Sequence, residues 1–190
     1  MNCFARFYAP SLVLLGLAAG LLVSTVRAED KAASTIELAN GKFVMVTPAS
    51  WETVAPKSNM ITHEFKAPKE MKEDSARITV MPASGGVDAN VDRWVGQFDG
   101  VKKSDAKIEK NDVAGTTIHT VDISGTYKDS MGGGPFAPGP VKKRENYRML
   151  GAIIETKESG TIFVKMTGAQ STLEPLVEDF KKMLMELKAK

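Results

Sequence analysis

The sequence predicts an α+β domain in which strands joined by hairpins dominate and two helices interrupt them. Short runs of strand-forming residues are separated by turn signals such as Asn40-Gly41, which is typical of antiparallel hairpins. Two segments, residues 88–98 and 173–187, carry apolar residues at helical spacing. Residues 147–156 are apolar in both strand phases, so we expect that strand to be central and covered on both sides.

The first 28 residues have the composition of a secretory signal peptide. Arg6 supplies the positive charge, an apolar run follows, and Ala28 is a small residue at the cleavage site. An uncleaved anchor is the alternative, because residues 7–26 are long enough to span a bilayer. The polar residues that begin at Glu29 favour cleavage. We therefore expect an exported protein, periplasmic or extracellular, without stable membrane insertion once the signal is removed.

Charge and cysteine content narrow the function of the mature chain. The leader holds two of the 25 basic residues and none of the 23 acidic ones, so the remainder is formally neutral. Binding to nucleic acid or to an acidic membrane surface requires a basic excess. The only cysteine, Cys3, lies in the leader. No catalytic motif or cofactor fingerprint occurs. We predict no catalytic, cofactor-binding or metal-binding residue and no nucleic-acid partner.

A short polar lead, residues 29–34, precedes the first half of the domain. Asn40-Gly41 predicts a two-residue hairpin turn, since both residues tolerate positive φ. In the first helix Trp94 belongs to an apolar stripe, and Asp88 is the expected N-cap. The predicted strands of this half are residues 35–38, 42–47, 60–66 and 77–81, and the predicted helix is 88–98.

The second half is predicted as two hairpins followed by a helix. The hairpins turn at Ala114-Gly115 and at 158–160. Seven apolar residues from Leu173 to Leu187 make an amphipathic helix of four turns, with Pro175 in its first turn and Ser171 or Thr172 as its cap. The predicted strands are residues 106–113, 116–127, 147–156 and 161–167.

Residues 128–145 are predicted as a flexible Gly/Pro loop between two of these strands. The segment contains the glycine run 132–134 and three prolines, and its 18 residues exceed the usual connection between strands. Such loops either carry function or are merely mobile, and a mobile hairpin tip stays an open alternative. If the loop binds a partner, the expected contact residues are Tyr127, Phe136, Lys142, Lys143 and Arg144.

The order of these elements resembles exported, uncharacterised bacterial relatives of the PsbP-like family, over residues 36–187. The resemblance is carried by the segments Asn90-Val91-Asp92-Arg93-Trp94-Val95-Gly96-Gln97-Phe98, Tyr147-Arg148-Met149-Leu150-Gly151-Ala152 and Phe163-Val164-Lys165-Met166-Thr167-Gly168. It implies one domain over residues 35–190, an α+β fold with a central antiparallel sheet and helices packed on both faces (an α/β/α sandwich), and action by binding other proteins. None of the family's functional residues carries over.

We therefore predict a non-enzymatic binding or assembly module of the bacterial cell envelope, with an unidentified protein partner or small ligand. The alternative is a metal-dependent hydrolase that uses His63 and His119. Both histidines share the phase of an apolar strand face, and two paired strands would bring their imidazoles together as metal ligands. Satisfied, partly buried histidines are the simpler interpretation. A separation above about 10 Å would exclude the shared metal.

Overall fold

Strands make up most of the described chain, which comprises residues 33–71, 73–130, 140–156 and 160–190 of a computed structural model. Two 3₁₀ turns, Lys103–Asp105 and Glu174–Leu176, join longer elements. In chain order the strands and helices are β1 (Thr35–Leu38), β2 (Phe43–Val46), β3 (Glu52–Val54), β4 (His63–Ala67), β5 (Ala76–Ala83), α1 (Val87–Val95), β6 (Phe98–Asp99), β7 (Lys107–Val113), β8 (Thr116–Ser130), β9 (Val141–Thr156), β10 (Gly160–Ala169), α2 (Gln170–Leu173), α3 (Val177–Met185) and β11 (Lys188–Ala189).

Eight strands form one antiparallel sheet, in the order β3-β4-β5-β10-β9-β8-β6, with β7 also paired to β8. The hairpin of β7 and β8 turns at Ala114-Gly115, where both residues have positive φ. Strand β9 lies near the middle of the sheet, and every residue from Met149 to Ile154 is buried. The predicted antiparallel sheet and its central strand are confirmed.

The first hairpin belongs to a separate small sheet with the order β1-β2-β11. Asn40 and Gly41 occupy the centre of its turn with φ of 55° and 84°, as the Asn-Gly signal predicts. The third strand, β11, pairs with β2 through Lys188 and Ala189. Strand β11 is not predicted from the sequence, because its two exposed residues carry no alternating pattern.

The buried apolar residues form two clusters, and neighbouring residues of β9 and of β10 alternate between them. The α1 cluster contains Trp94 of α1 together with Ile153 of β9 and Phe163 of β10. The α3 cluster contains Phe180 of α3 together with Ile154 and Val164, the next residues along those strands, and it also includes the small sheet. Each cluster therefore joins one helical segment to residues of one strand phase.

The predicted single carboxy-terminal helix is wrong in detail, because it is divided into α2, a 3₁₀ turn and α3. Pro175 lies in the turn, where its missing N–H removes a helical hydrogen bond. Thr172 does not cap the helix; its hydroxyl donates to the carbonyl of Asp74 at 3.2 Å. Thr172 therefore bonds to a residue distant in sequence instead of capping the helix that follows it.

The first helix is also shorter than predicted. It begins after Gly86, which has no side chain to cap it, so Asp88 is not the N-cap. Its carboxylate instead accepts a hydrogen bond from Lys103 at 3.0 Å. Phe98 keeps its place in the α1 cluster but belongs to β6, which pairs with β8.

The loop predicted at residues 128–145 is corrected by the structure. β8 continues to Ser130 and β9 begins at Val141, and the two strands stay paired from Lys128↔Lys143 to Ser130↔Val141. Backbone hydrogen bonding extends the hairpin although these residues have little apolar character. The central residues of that loop, 131–139, lie outside the described residues, as do the predicted signal peptide and most of the polar lead. None of the described helices has the length and apolar character needed to cross a membrane.

Candidate functional site

Tyr127, one of the predicted contact residues, is packed into the hairpin. Its half-buried ring stacks on Tyr147, with centroids 5.9 Å apart, and contacts Phe98 at 5.3 Å. Burial and the nearby carboxylate of Asp129 raise the pKa of the Tyr127 phenol. The ring therefore contributes to an aromatic cluster between β6, β8 and β9.

The basic residues of the predicted loop lie on β9, and two of the three are ion-paired. Lys143 pairs with Asp99, and Arg144 pairs with Asp129 at 3.2 Å, both within the sheet. Lys142 is exposed. The three side chains thus do not form a concentrated cationic patch, and Phe136 lies outside the described residues.

The structure separates the two histidines and contradicts the two-histidine metal site. His63 is aligned with Val80 of the α3 cluster, whereas His119 is aligned with Ile153 of the α1 cluster. Three strands lie between β4 and β8, which at about 4.8 Å per strand spacing separates the histidines by about 19 Å. His119 is satisfied by Glu155, with Nε2 and Oε2 2.8 Å apart. Across the described residues, no three metal-ligating side chains converge.

A cleft of about 400 Å³ lies beside α1, on the side of the sheet that carries the α1 cluster. The helix has nine residues and is about 13 Å long, too short to cover the whole sheet. The wall of the cleft combines the apolar side chains of Met60, Met81 and Phe163 with the cations of Lys165 and Arg93. Met60 is 72% exposed, which is unusual for a large apolar residue. The cleft is therefore amphipathic.

Lys165 occupies the floor of this cleft. It follows Phe163 in the same phase of β10, and its ammonium donates to Oε1 of Gln97 at 2.5 Å. The same nitrogen lies 5.6 Å from the centroid of the Tyr127 ring. Burial, with the positive charges of Arg77 and Arg93, lowers the pKa of the Lys165 ammonium to about 7. In the described chain no carboxylate pairs with this nitrogen.

Arg93 lies at the rim, on the exposed side of α1. Its guanidinium carbon is 5.5 Å from the centroid of the Phe163 ring, a cation–π arrangement that leaves the N–H groups available. The carboxylates of α1, Asp88 and Asp92, pair instead with Lys103, at 3.0 and 3.2 Å. Arg93 thus forms no ion pair with any described residue.

Arg77, the third cation of this region, is neutralised. Its Nε donates to Glu64 at 2.8 Å, and the backbone N–H of Lys57 donates to the other carboxylate oxygen at 2.9 Å. Burial alone would raise the pKa of Glu64, but these hydrogen bonds and the charge of Arg77 lower it below its ordinary value. The charge left uncompensated in the cleft is that of Lys165 and Arg93.

Trp94 forms the inner wall because a glycine lies beneath it. A Cβ on Gly151 would come within 2.3 Å of the indole, so the missing side chain lets the ring lie directly on β9. Trp94 is 2% exposed and meets Phe163 edge-on, with ring centroids 5.0 Å apart. Helix, glycine and aromatic pair together hold the apolar wall beside the Lys165 ammonium.

The cleft residues are not among the site residues predicted from the sequence, although the sequence contains a signal for one of them. Lys165 interrupts a strand in which Ile162, Val164 and Met166 share one phase, and it shares the other phase with Phe163. A lysine in the same phase as a core aromatic must be either buried or at the rim of a cleft. Arg93 has no such signal, because its position depends on where α1 docks.

Comparison with solved structures identifies the fold. No protein-family model and no curated protein matches the chain. The solution structure of CyanoP, the PsbP of the cyanobacterium Synechocystis sp. PCC 6803, matches with a TM-score of 0.52 and 12% identity, over 90% of this chain and 100% of that one. LpqN of Mycobacterium tuberculosis, involved in cell envelope biogenesis, matches with a TM-score of 0.48 and 9% identity, over 82% and 84%. A Bacteroides thetaiotaomicron protein matches at 0.44 and 10%, over 84% and 49%. The resemblance to PsbP-like proteins is confirmed as a likeness of fold.

Proposed function

We propose that this chain is an exported, non-enzymatic binding module of the bacterial cell envelope, and that it binds its ligand in the cleft beside α1. The single observation that carries the proposal is the pair of cations, Lys165 and Arg93, that face an apolar wall without a carboxylate partner in the described chain. Holding a lysine where burial opposes its charge lowers the stability of the fold. A ligand that compensates this charge gives a reason for the arrangement.

The layering of the fold supports the same proposal. We take the chain as a sandwich in which α1 lies on one face of the main sheet and α2 and α3 lie on the other. The alternation of Ile153 and Ile154 between the two clusters supports that arrangement. The short α1 then leaves part of its face open, and the cleft occupies that part.

The cleft explains binding better than the hairpin does. Tyr127, Lys143 and Arg144 already have partners within the sheet, so a ligand there would have to displace them. The Lys165 ammonium has three N–H donors and, among the described residues, uses one of them, in the bond to Gln97. A pocket of this volume with few polar groups on an apolar wall is typical of small-molecule sites.

The test is a fragment screen by amide NMR on the mature chain, with acidic, basic and neutral fragments. We expect the shifts to cluster at residues around the cleft, such as Met81, Gln97 and Lys165. Ser84→Trp, which places bulk at the cleft rim, should abolish them. Ser130→Trp places the same bulk at the end of β8 and should leave them. If Ser130→Trp abolishes the shifts and Ser84→Trp leaves them, or if no fragment causes a shift, the cleft is not the binding site.

Export has its own test. Mass spectrometry of the protein recovered from the periplasm or the medium should show a chain that begins at Glu29. The same chain should fractionate without the membrane. An intact Met1 in the membrane fraction would contradict export with signal cleavage and support the anchor.

A further inference from the structure

We infer that the ligand of the cleft is a small amphipathic monocarboxylic acid, whose carboxylate lies between Lys165 and Arg93 and whose apolar body packs on Phe163 and Met81. The inference rests on the proposed function, since it names the class of ligand for that same cleft. It is carried by three features of the cleft: its charge, the donor geometry and the apolar wall.

The charge of the cleft requires an anion. Lys165 and Arg93 bring two positive charges to one side of the sheet, and in the described chain neither has a carboxylate partner. The third cation, Arg77, is paired with Glu64. The acids of α1 are paired with Lys103. A cationic or neutral ligand would leave both charges uncompensated.

The donors fit a carboxylate. Gln97 accepts one N–H of Lys165, which leaves two for a ligand. The guanidinium of Arg93 lies over the Phe163 ring, and in this arrangement its N–H groups can form a bidentate pair with a planar carboxylate. Gln97 also holds the ammonium in position, because its own backbone carbonyl accepts the N–H of Lys128 at 2.7 Å.

The wall requires an apolar body on that acid. Phe163 is 5% exposed and Trp94 is 2% exposed, so they form a rigid aromatic base, while Met81 is half-buried and Met60 is exposed at the rim. Methionine side chains adapt to ligands of different shape. The wall is therefore suited to an alkyl or phenyl group. A small anion such as acetate has no apolar group to pack on it and should bind weakly.

The proton on Lys165 couples binding to pH. The charged or titratable groups on the surrounding elements are Glu64 of β4, Arg77 of β5, Asp88, Asp92 and Arg93 of α1, Tyr127 and Asp129 of β8, and Tyr147 of β9. Glu64 is engaged by Arg77, Asp129 by Arg144, and Asp88 and Asp92 by Lys103, so no described carboxylate competes with the ligand for the Lys165 ammonium. Binding of a carboxylate favours the protonated lysine, so affinity should fall as the pH rises above 7.

The experiment is calorimetric titration of the mature chain with octanoate and with 3-phenylpropionate at pH 6.5. Three matched probes each change one feature of the acid. Acetate keeps the carboxylate without the apolar body, octan-1-ol keeps the apolar body without a charge, and octylamine carries a positive charge instead of a negative one. We expect both acids to bind at least tenfold more tightly than any of the three. Affinity should fall about tenfold between pH 7 and pH 8.5, since most of the free lysine must then take up a proton.

Variants separate the roles of the two cations. Lys165→Met should weaken octanoate at least tenfold and remove the fall between pH 7 and 8.5. Arg93→Gln should also weaken octanoate but keep a fall, moved to higher pH because the charge of Arg93 helps to lower the pKa of Lys165. Lys110→Met, on exposed β7, is the control and should change neither. Melting temperatures of all variants show that they fold. Equal binding of octanol, or an unchanged affinity in Lys165→Met, would overturn the carboxylate.

Failure of the inference is distinguishable from failure of the proposed function. If octanoate and phenylpropionate do not bind, but Ser84→Trp still removes the fragment shifts, the ligand class is wrong and the cleft remains the binding site. If Ser84→Trp leaves the fragment shifts in place, both the ligand class and the cleft are wrong.

Discussion

The two apolar clusters of the main sheet differ in how the charges beside them are paired. The α3 cluster joins Phe180 and Leu184 to strand residues such as Ile154. On its side of the sheet Arg148 is paired with Asp122 at 2.7 Å and with Glu174 at 2.6 Å. The α1 cluster is smaller, and on its side Glu64 is paired with Arg77, whereas Lys165 has no carboxylate partner among the described residues. Apolar burial stabilises a fold, whereas buried charges oppose it unless they are paired. Under the proposed function, the α3 cluster chiefly maintains the fold and the α1 side holds an unpaired charge for its ligand.

Trp94→Ala should have the largest effect on the α1 cluster. It removes a side chain that is 2% exposed and leaves a cavity against Phe163 and Gly151. Large aromatic truncations of this kind cost about 3–5 kcal/mol in free energy of unfolding. Chemical denaturation measures the loss, and fragment binding should disappear as well. A loss below about 1 kcal/mol would mean that Trp94 does not dock α1.

Phe180→Ala is the matched change in the α3 cluster. The side chain is 2% exposed, and its removal should also cost about 3–5 kcal/mol. If the clusters have separate roles, the folded fraction of this variant should bind fragments as the unchanged protein does. Loss of both stability and binding would show that the two clusters act as one core.

Gly151→Ala should have the next largest effect, because a Cβ at this position would come within 2.3 Å of the Trp94 ring. Displacement of a packed indole costs about 1–3 kcal/mol by overpacking. In a Trp94→Leu background the same substitution should cost less, since the smaller side chain leaves room. A double-mutant cycle by denaturation measures this coupling. Strictly additive losses would mean that the ring does not depend on the glycine.

The same comparison shows how far the sequence predicts this molecule. Hydrophobic periodicity and turn chemistry identify most strands of the main sheet. The alternation is clear because a one-residue shift in strand register would turn the apolar residues of a strand away from the core. Local patterns failed where tertiary contacts decide, as at Thr172, whose hydroxyl bonds to Asp74 98 residues away. The ends of β8 and β9, residues 128–130 and 141–145, were predicted as loop because they lack the apolar alternation that marks a strand, although the backbone pairs them. The cleft depends on where the short α1 docks, which no local pattern specifies.

Glu64→Gln tests whether the α1 side depends on its buried ion pair. The carboxylate, 1% exposed, accepts hydrogen bonds from Arg77 and from the N–H of Lys57, and a Gln amide must direct an N–H towards one of these donors. The loss of one bond and the clash of donors should cost about 1–3 kcal/mol at pH 7. Glu52→Gln, at an exposed position of β3, is the matched control and should change little.

The pH dependence of this pair follows from its lowered pKa. The folded protein holds Glu64 ionised below the ordinary value of 4.5, so the pair stabilises fully above that pH and loses its effect as the pH falls below it. The difference between Glu64→Gln and the unchanged protein should therefore narrow between pH 5 and pH 3. Denaturation curves in urea measure it. A constant difference would show that the charge of Glu64 does not stabilise the fold.

Lys165→Met should have the smallest effect and the opposite sign, since it removes a charge that the fold holds at a cost. The folded pKa is about 7 against an ordinary 10.5, so below pH 7 both states are protonated and the full penalty falls on the folded protein. Between pH 7 and 10.5 the folded state releases its proton while the unfolded state keeps it, and the penalty declines. Because the side chain is only partly buried, we expect a gain of about 1–2 kcal/mol at pH 6 that shrinks towards pH 10. Paired denaturation curves at pH 6 and pH 9 measure it. A variant that is less stable at both pH values would mean that Lys165 stabilises the fold, and the contrast between the two clusters would lose its basis.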